Sequence, residues 1–238
     1  MNDFNLQIIY DSRMEYLYGL LLTLKLVGTC LILGVVLAIG LALLRCSRNP
    51  WVSKPVWAFT YYMRGTPMLI QLFIVYNGFA GLEWVQEQWA AENPLILPFR
   101  EPYFCALFTF TLNTAAYTTE IFAGAMKNIA YGEIEAARAI GMSWFTMVRR
   151  IVLPSALRRS IPAYSNEVIF MLQGSSIASA VTLVDLTGAG RNVYSKYYAP
   201  FEGFIAAGVI YLILTFLLLG LFRLAEKRWL AYLAPRKH

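Results

Sequence analysis

The sequence predicts an all-α membrane protein of five transmembrane helices, with the N-terminus outside and the C-terminus in the cytoplasm. Three observations carry this reading. Hydrophobic residues make up 58% of the 238 residues and charged ones only 14%, against about 25% charged in a soluble domain. Five apolar runs have the length of a helix that crosses a bilayer. The basic residues gather in alternate connecting segments. The runs are long and continuous, whereas barrel strands alternate.

The first run, 19–44, is free of charge after Lys25. The second, 55–80, is interrupted by Arg64 alone. The third, 102–126, carries Glu120 near its end, and the fourth, 161–183, carries Glu167 near its start. The fifth, 203–222, is unbroken. Turn signals fall between them at Asn49-Pro50, Asn93-Pro94, Arg100-Glu101-Pro102 and Ala199-Pro200. Fourteen of the 20 Lys and Arg residues lie in segments 45–54 and 127–159 and in the C-terminal tail. Acids dominate the first 18 residues and the loop that follows the second run. The positive-inside rule puts the three basic segments in the cytoplasm, which five spans satisfy with the N-terminus outside. Tyr16, Tyr18, Trp51, Trp57, Trp84, Trp89, Tyr197, Tyr198 and Trp229 fall near predicted span ends, the level at which amphipathic rings settle. No basic stretch precedes the first run, so residues 1–18 read as an extramembrane tail and not a cleaved signal. The whole chain reads as one transmembrane domain.

Several chemistries are excluded early. Cys30, Cys46 and Cys105 are far apart with no CxxC spacing, so they read as small apolar packing residues rather than a disulfide framework or zinc site. The only histidine is His238, which removes histidine acid–base work and histidine metal ligation. No G-x-x-x-x-G-K-[ST] phosphate loop is present. No cofactor is therefore expected on this chain, and no nucleic-acid partner.

Segment 127–160 is the least membrane-like stretch. Two short amphipathic patterns meet at Gly141, the second with Trp144, Phe145, Val148, Ile151 and Val152 as its apolar positions. Gly141 is suited to a backbone conformation that other residues resist, Ser143 is a candidate cap, and Leu153-Pro154 is expected to end the second helix. Such an element either lies on the membrane surface or docks on a partner.

The pattern Glu135-Ala136-Ala137-x-x-x-Gly141-x(9)-Ile151-x-Leu153-Pro154 resembles the EAA loop of ATP-binding-cassette importer permeases. Arg64-Gly65-Thr66-Pro67 with Gln71 resembles the R-G-T-P segment of polar amino-acid permeases. Asn113, Ala116-Tyr117-x-x-Glu120-Ile121 and Asn166-Glu167 match further. The resemblance covers essentially the whole chain and is strongest to the branch serving histidine and lysine/arginine/ornithine uptake, with arginine and opine permeases beside it. It implies a type I ABC importer permease core in the bacterial inner membrane. Glu135, Ala136, Ala137, Gly141, Leu153 and Pro154 would couple it to a separate ATPase that binds ATP and Mg. A second permease subunit, identical or different, and a periplasmic solute-binding protein at the acidic outer loops complete the implied assembly.

Charges within spans cost at least about 2.5–3.5 kcal/mol on insertion scales, so each needs a partner or an aqueous cavity. Lys25 can snorkel from the outer end of its span. At 1.5 Å per residue, Arg64 lies roughly 14 Å into the second span, and Glu120 and Glu167 lie roughly 9 Å deep in theirs. The three can share one layer, either as an ion pair of Arg64 with Glu120 or Glu167, or as a site for the carboxylate and ammonium of a free amino acid. The Gly65-Thr66-Pro67 break is either a simple kink or an unwound stretch lining the path. The resemblance assigns Asn166 and Glu167 to the substrate's cationic groups. Many relatives carry a lysine where this chain has Gln173, a departure that bears on carboxylate binding. Segment 185–191, rich in glycine, is expected to be an outer loop. An ion-coupled secondary carrier is the competing class, but five spans make a small enclosure and leave segment 127–160 without a purpose.

Overall fold

The computed structural model describes residues 5–230, and every element among them is helical. The four N-terminal residues and the tail bearing Arg236, Lys237 and His238 lie outside the described residues. Helix α1 (Leu6–Asp11) precedes α2 (Arg13–Arg45), which contains the first predicted span. At 33 residues, α2 is roughly 50 Å long, more than the hydrocarbon thickness of about 30 Å. Its buried face runs through Tyr16, Gly19, Thr23, Leu26, Val27, Cys30, Gly34, Ala38 and Ala42. The three- and four-residue spacing makes a seam of mostly small side chains. In a bilayer no hydrophobic drive pulls helices together, so such a seam gains by close van der Waals approach.

The second predicted span is broken. Helix α3 (Pro50–Gly65) ends at an extended Thr66, and α4 (Met68–Phe73) runs on into a π-helical turn, Ile74–Gly78. Helix α5 (Glu83–Ala90) follows. Helix α6 (Pro102–Lys127) matches the third predicted span and occupies the centre, against α2, α3, α4 and α9. Fourteen of its 26 residues are buried, including Thr109, Thr111, Thr114, Thr118 and Thr119. By length and hydropathy, α2 and Pro200–Trp229 are each long and apolar enough to cross a membrane. The bent pairs Met68–Gly78 with Glu83–Ala90 and Trp144–Val181 with Leu186–Tyr197 pass the same criterion as pairs. Because α6 packs against four other helices, its buried face can carry threonine.

Helices α7 (Tyr131–Ala139) and α8 (Trp144–Met147) are the two short helices expected around Gly141. Leu153-Pro154 does not end the second one. A π-helical turn, Val148–Val152, joins α8 to α9 (Leu153–Gly174). Proline lacks an N–H and crowds the preceding carbonyls, and a π turn widens the backbone at that place, so the helix passes through. After α9 a 3₁₀ stretch, Ser175–Val181, leads to Thr182 at φ 66°.

Segment 185–191 is likewise not a loop. It begins α10 (Leu186–Tyr197), whose first turn is capped by Asp185 Oδ1 accepting from the Gly188 N–H at 2.9 Å. Its glycines serve packing. A Cβ on Gly190 would lie 2.7 Å from the Gly203 carbonyl oxygen of α11 (Pro200–Trp229). Two clusters fill the bundle along α2. One joins Leu26, Val27, Leu72, Phe110 and Leu172; the other joins Ala38, Ala42, Phe122, Met126 and Ala156. A third, with Tyr16, Leu186, Val193 and Ala206, seats α10 between α2 and α11.

Candidate functional site

The break after Gly65 builds one wall of a cavity. Pro67 has no N–H for the carbonyl of Met63, four residues back. Gln71 supplies the missing donor: its Nε2 donates to Met63 O at 2.8 Å, to Thr66 O at 3.1 Å and to Thr66 Oγ1 at 2.7 Å. Asn113 Nδ2 on α6 donates to Met63 O at 3.3 Å and to Gln71 Oε1 at 3.0 Å. Thr66 Oγ1 donates to Tyr62 O at 2.9 Å, and the Tyr117 hydroxyl donates to Arg64 O at 3.3 Å. An unsatisfied backbone group in hydrocarbon costs several kcal/mol. These side chains let the chain unwind here without that cost.

The cavity holds about 510 Å³ and is lined by Arg64, Gly65, Thr66, Asn113, Tyr117 and Glu167, with Phe170 and Met171. Glu167 is 6% exposed, and its Oε1 accepts from Thr114 Oγ1 at 2.9 Å. Arg64 is exposed, with its guanidinium carbon 5.3 Å from the centre of the Tyr117 ring. A cation and an acid therefore face one space. Of the two alternatives for these charges, the ion pair of Arg64 with Glu120 or Glu167 does not form: the ion pairs among the described residues are Arg45–Glu120, Arg159–Glu133 and Lys196–Glu15.

Glu120 faces away from the cavity. Its Oε1 accepts from Arg45 Nε at 2.9 Å and from Thr60 Oγ1 at 2.7 Å, and it does not line the cavity. Arg45 belongs to the basic segment 45–54 in the sequence, but in the structure it ends α2 and reaches Glu120. Asn166 and Gln173 also lie off the cavity, on an exposed face of α9 that they share with Phe170. Thr60 and Thr114 carried no sequence signal beyond being polar in apolar runs.

The second group of predicted residues lies on α7 and its neighbours. Gly141 has φ +76°. Its N–H donates to Arg138 O at 2.9 Å, and the Met142 N–H donates to Ala137 O at 3.1 Å. This is a Schellman closure, in which the left-handed residue after the helix is usually glycine. Ser143 Oγ then caps α8 by accepting from the Thr146 N–H at 3.3 Å. Ala137 is buried at 2% exposure, while Glu135 and Ala136 are exposed. Leu153 and Pro154 are half-buried, and Leu153 packs against the cluster around Ala156. Arg159 of α9 pairs with Glu133 of α7 at 3.7 Å and donates to the carbonyl of Asn128, just after α6, at 3.4 Å. Tyr131, Ile140, Trp144 and Phe145 are between 64% and 73% exposed. Exposed apolar residues on two short helices fit either of the roles open to this element, the membrane surface or a partner.

The family model of the binding-protein-dependent transport system inner membrane component matches residues 31–231. The histidine/lysine/arginine/ornithine transport system permease protein HisM of Escherichia coli (strain K12) is 47% identical over 217 residues, covering 91% of this chain and 90% of that protein. The nopaline transport system permease protein NocM of Agrobacterium fabrum is 43% identical over 222 residues, covering 93% and 90%. Among solved structures, an amino acid ABC transporter crystallised with histidines aligns at TM-score 0.81 with 28% identity, covering 96% of this chain and 99% of that one. The inward-facing MetNI methionine ABC transporter aligns at TM-score 0.69 with 19% identity, covering 95% and 99%, a likeness of fold.

Proposed function

Since the chain belongs to the family of binding-protein-dependent transport system inner membrane components, we propose that it carries polar, chiefly basic, L-amino acids across the bacterial inner membrane as the permease subunit of an ATP-driven importer. The observation that carries the substrate reading is the cavity in which Arg64 and Glu167 face one space unpaired with each other. A free amino acid presents a carboxylate and an ammonium, and a basic one adds a second cation. Arg64 suits the carboxylate, and Glu167, held by Thr114, suits a cationic group. Asn113 and Thr66 keep the unwound wall in place.

The exposed surface of α7 and α8 is read as the seat for a separate ATPase subunit, with Glu135 and Ala136 in the contact and Gly141 setting the turn. Alternating access then follows from ATPase closure pushing this element. Five spans, with the N-terminus outside, account for the alternating basic and acidic segments. The stripe Asn166, Phe170 and Gln173 is read as facing a second permease subunit, and the acidic segment around α5 as facing a solute-binding protein. The 43% identity to the nopaline permease favours an opine as the alternative substrate within the same class.

Uptake and ATP turnover of the complete transporter in proteoliposomes test the reading. Glu167→Gln is expected to lower basic amino-acid uptake at least tenfold and Glu167→Asp by less, with ATPase assembly intact. Wild-type uptake by both variants overturns the role of Glu167.

A further inference from the structure

A second and larger cavity, about 690 Å³, lies where α2 and α6 end, against α7 and α8. It shares no lining residue with the cavity at Arg64 and Glu167. Its floor is apolar, with Leu43 and Leu44 from α2, Met126 from α6 and Met147 from α8 among the lining groups. Its charged lining residues are Arg48, Lys127 and Arg138, and no acid is among them. These cations come from three separate elements: the turn after α2, the last residue of α6 and the last turn of α7. None of the three forms an ion pair among the described residues. The volume falls within the roughly 300–1,000 Å³ of small-molecule sites.

Converging cations over an apolar floor at the ends of membrane helices match an amphiphile whose head is an anion and whose tail is hydrocarbon. A soluble anion has no use for the floor, and a neutral lipid has no use for the cations. We propose that this cavity holds an anionic phospholipid. Its phosphate lies among Arg48, Lys127 and Arg138, and its acyl chains pass along Leu43 and Leu44. This rests on the orientation proposed above, which puts these helix ends at the cytoplasmic leaflet, where anionic lipid attracts basic segments. Bound there, the lipid bridges the core helices and the ATPase-facing element, so its presence bears on how firmly α7 and α8 are held.

Native mass spectrometry of the full-length chain, purified in mild detergent with the subunits it retains, tests this. Dioleoyl phosphatidylglycerol and dioleoyl phosphatidylcholine are offered in equal amounts. The wild type is expected to retain the anionic lipid preferentially. The preference should fall about fivefold for each cation removed, so roughly 25-fold in Arg48→Gln/Lys127→Gln. The charge-matched pair Arg223→Gln/Lys227→Gln on α11, away from the cavity, should keep it. Arg48→Gln alone, in a turn, serves if the double variant does not fold. Equal retention of the two lipids overturns the proposal, and so does an undiminished preference in the variants. Displacement of the lipid by excess inorganic phosphate alone overturns it in favour of a free-anion site. Cys46 also lines this cavity while Cys30 and Cys105 are fully buried, so its maleimide labelling is a second readout. Slowing by anionic lipid is expected; slowing only when an ATPase copurifies assigns the cavity to a protein segment and overturns the proposal. Lipid retention is read without transport, so failure of the substrate reading leaves this result standing.

Discussion

Arg45 Nε donates to Glu120 Oε1 at 2.9 Å and ties the last turn of α2 to α6, with Thr60 Oγ1 of α3 reaching the same oxygen at 2.7 Å. Three helices thus meet at one carboxylate. The side chains are 19% and 23% exposed, between the surface pairs worth about 0–1 kcal/mol and the buried ones whose breaking costs about 3–5 kcal/mol. A double-mutant cycle of Arg45→Gln and Glu120→Gln is expected to give a coupling of about 1–2 kcal/mol in detergent unfolding. Fully additive losses would show that the pair contributes nothing.

Gln71 answers for the Met63 carbonyl that Pro67 leaves open and for the Thr66 carbonyl at the break. Gln71→Leu keeps the bulk and removes the donor, so Met63 O and Thr66 O lose a partner. The expected cost is about 1–3 kcal/mol, read as reduced thermal stability with loss of uptake. Asn113→Ala should cost less, because Gln71 still reaches Met63 O.

Gly141 needs its left-handed backbone and not space, since nothing lies within 4 Å of a Cβ placed there. Gly141→Ala should cost about 1–2 kcal/mol locally, and Gly141→Asn less, because asparagine tolerates this region. The measurement is the amount of ATPase that copurifies, which should fall more for alanine than for asparagine.

Gly190 and Gly203 are the opposite case. A Cβ on either would meet the other's carbonyl oxygen, at 2.7 and 2.5 Å. Gly190→Ala or Gly203→Ala should destabilise by about 1–3 kcal/mol through overpacking. Gly208→Ala and Gly220→Ala, on open faces of the same α11, should be neutral or gain up to about 1 kcal/mol. Melting curves of the four variants separate the two classes.

The parts legible in the sequence were those where one physical demand dominates. Lipid contact requires long apolar runs, which exposed the helical segments. A left-handed turn requires Gly141, and a missing N–H at Pro67 announced the break after Gly65. Glu120 was misplaced because depth along a helix says nothing of azimuth: Glu120 and Glu167 have similar depths, yet only Glu167 faces the cavity. The glycines of segment 185–191 looked like a loop because close helix packing and loop freedom call for the same residue. Pro154 looked like a terminator because the compensating π turn leaves no mark in composition.

That π turn has a mechanical consequence. Trp144 and Glu167 belong to one uninterrupted helical run, Trp144–Val181, separated by roughly 35 Å of helix. A hinge at Pro154 would have absorbed a push on the exposed Trp144 end as local bending. In the function proposed above, a continuous helical run would carry such a push toward the cavity. The widened turn at the proline lets one helical run start on the exposed surface and finish beside the cavity, so the element proposed above as the ATPase seat and the buried acid belong to the same run.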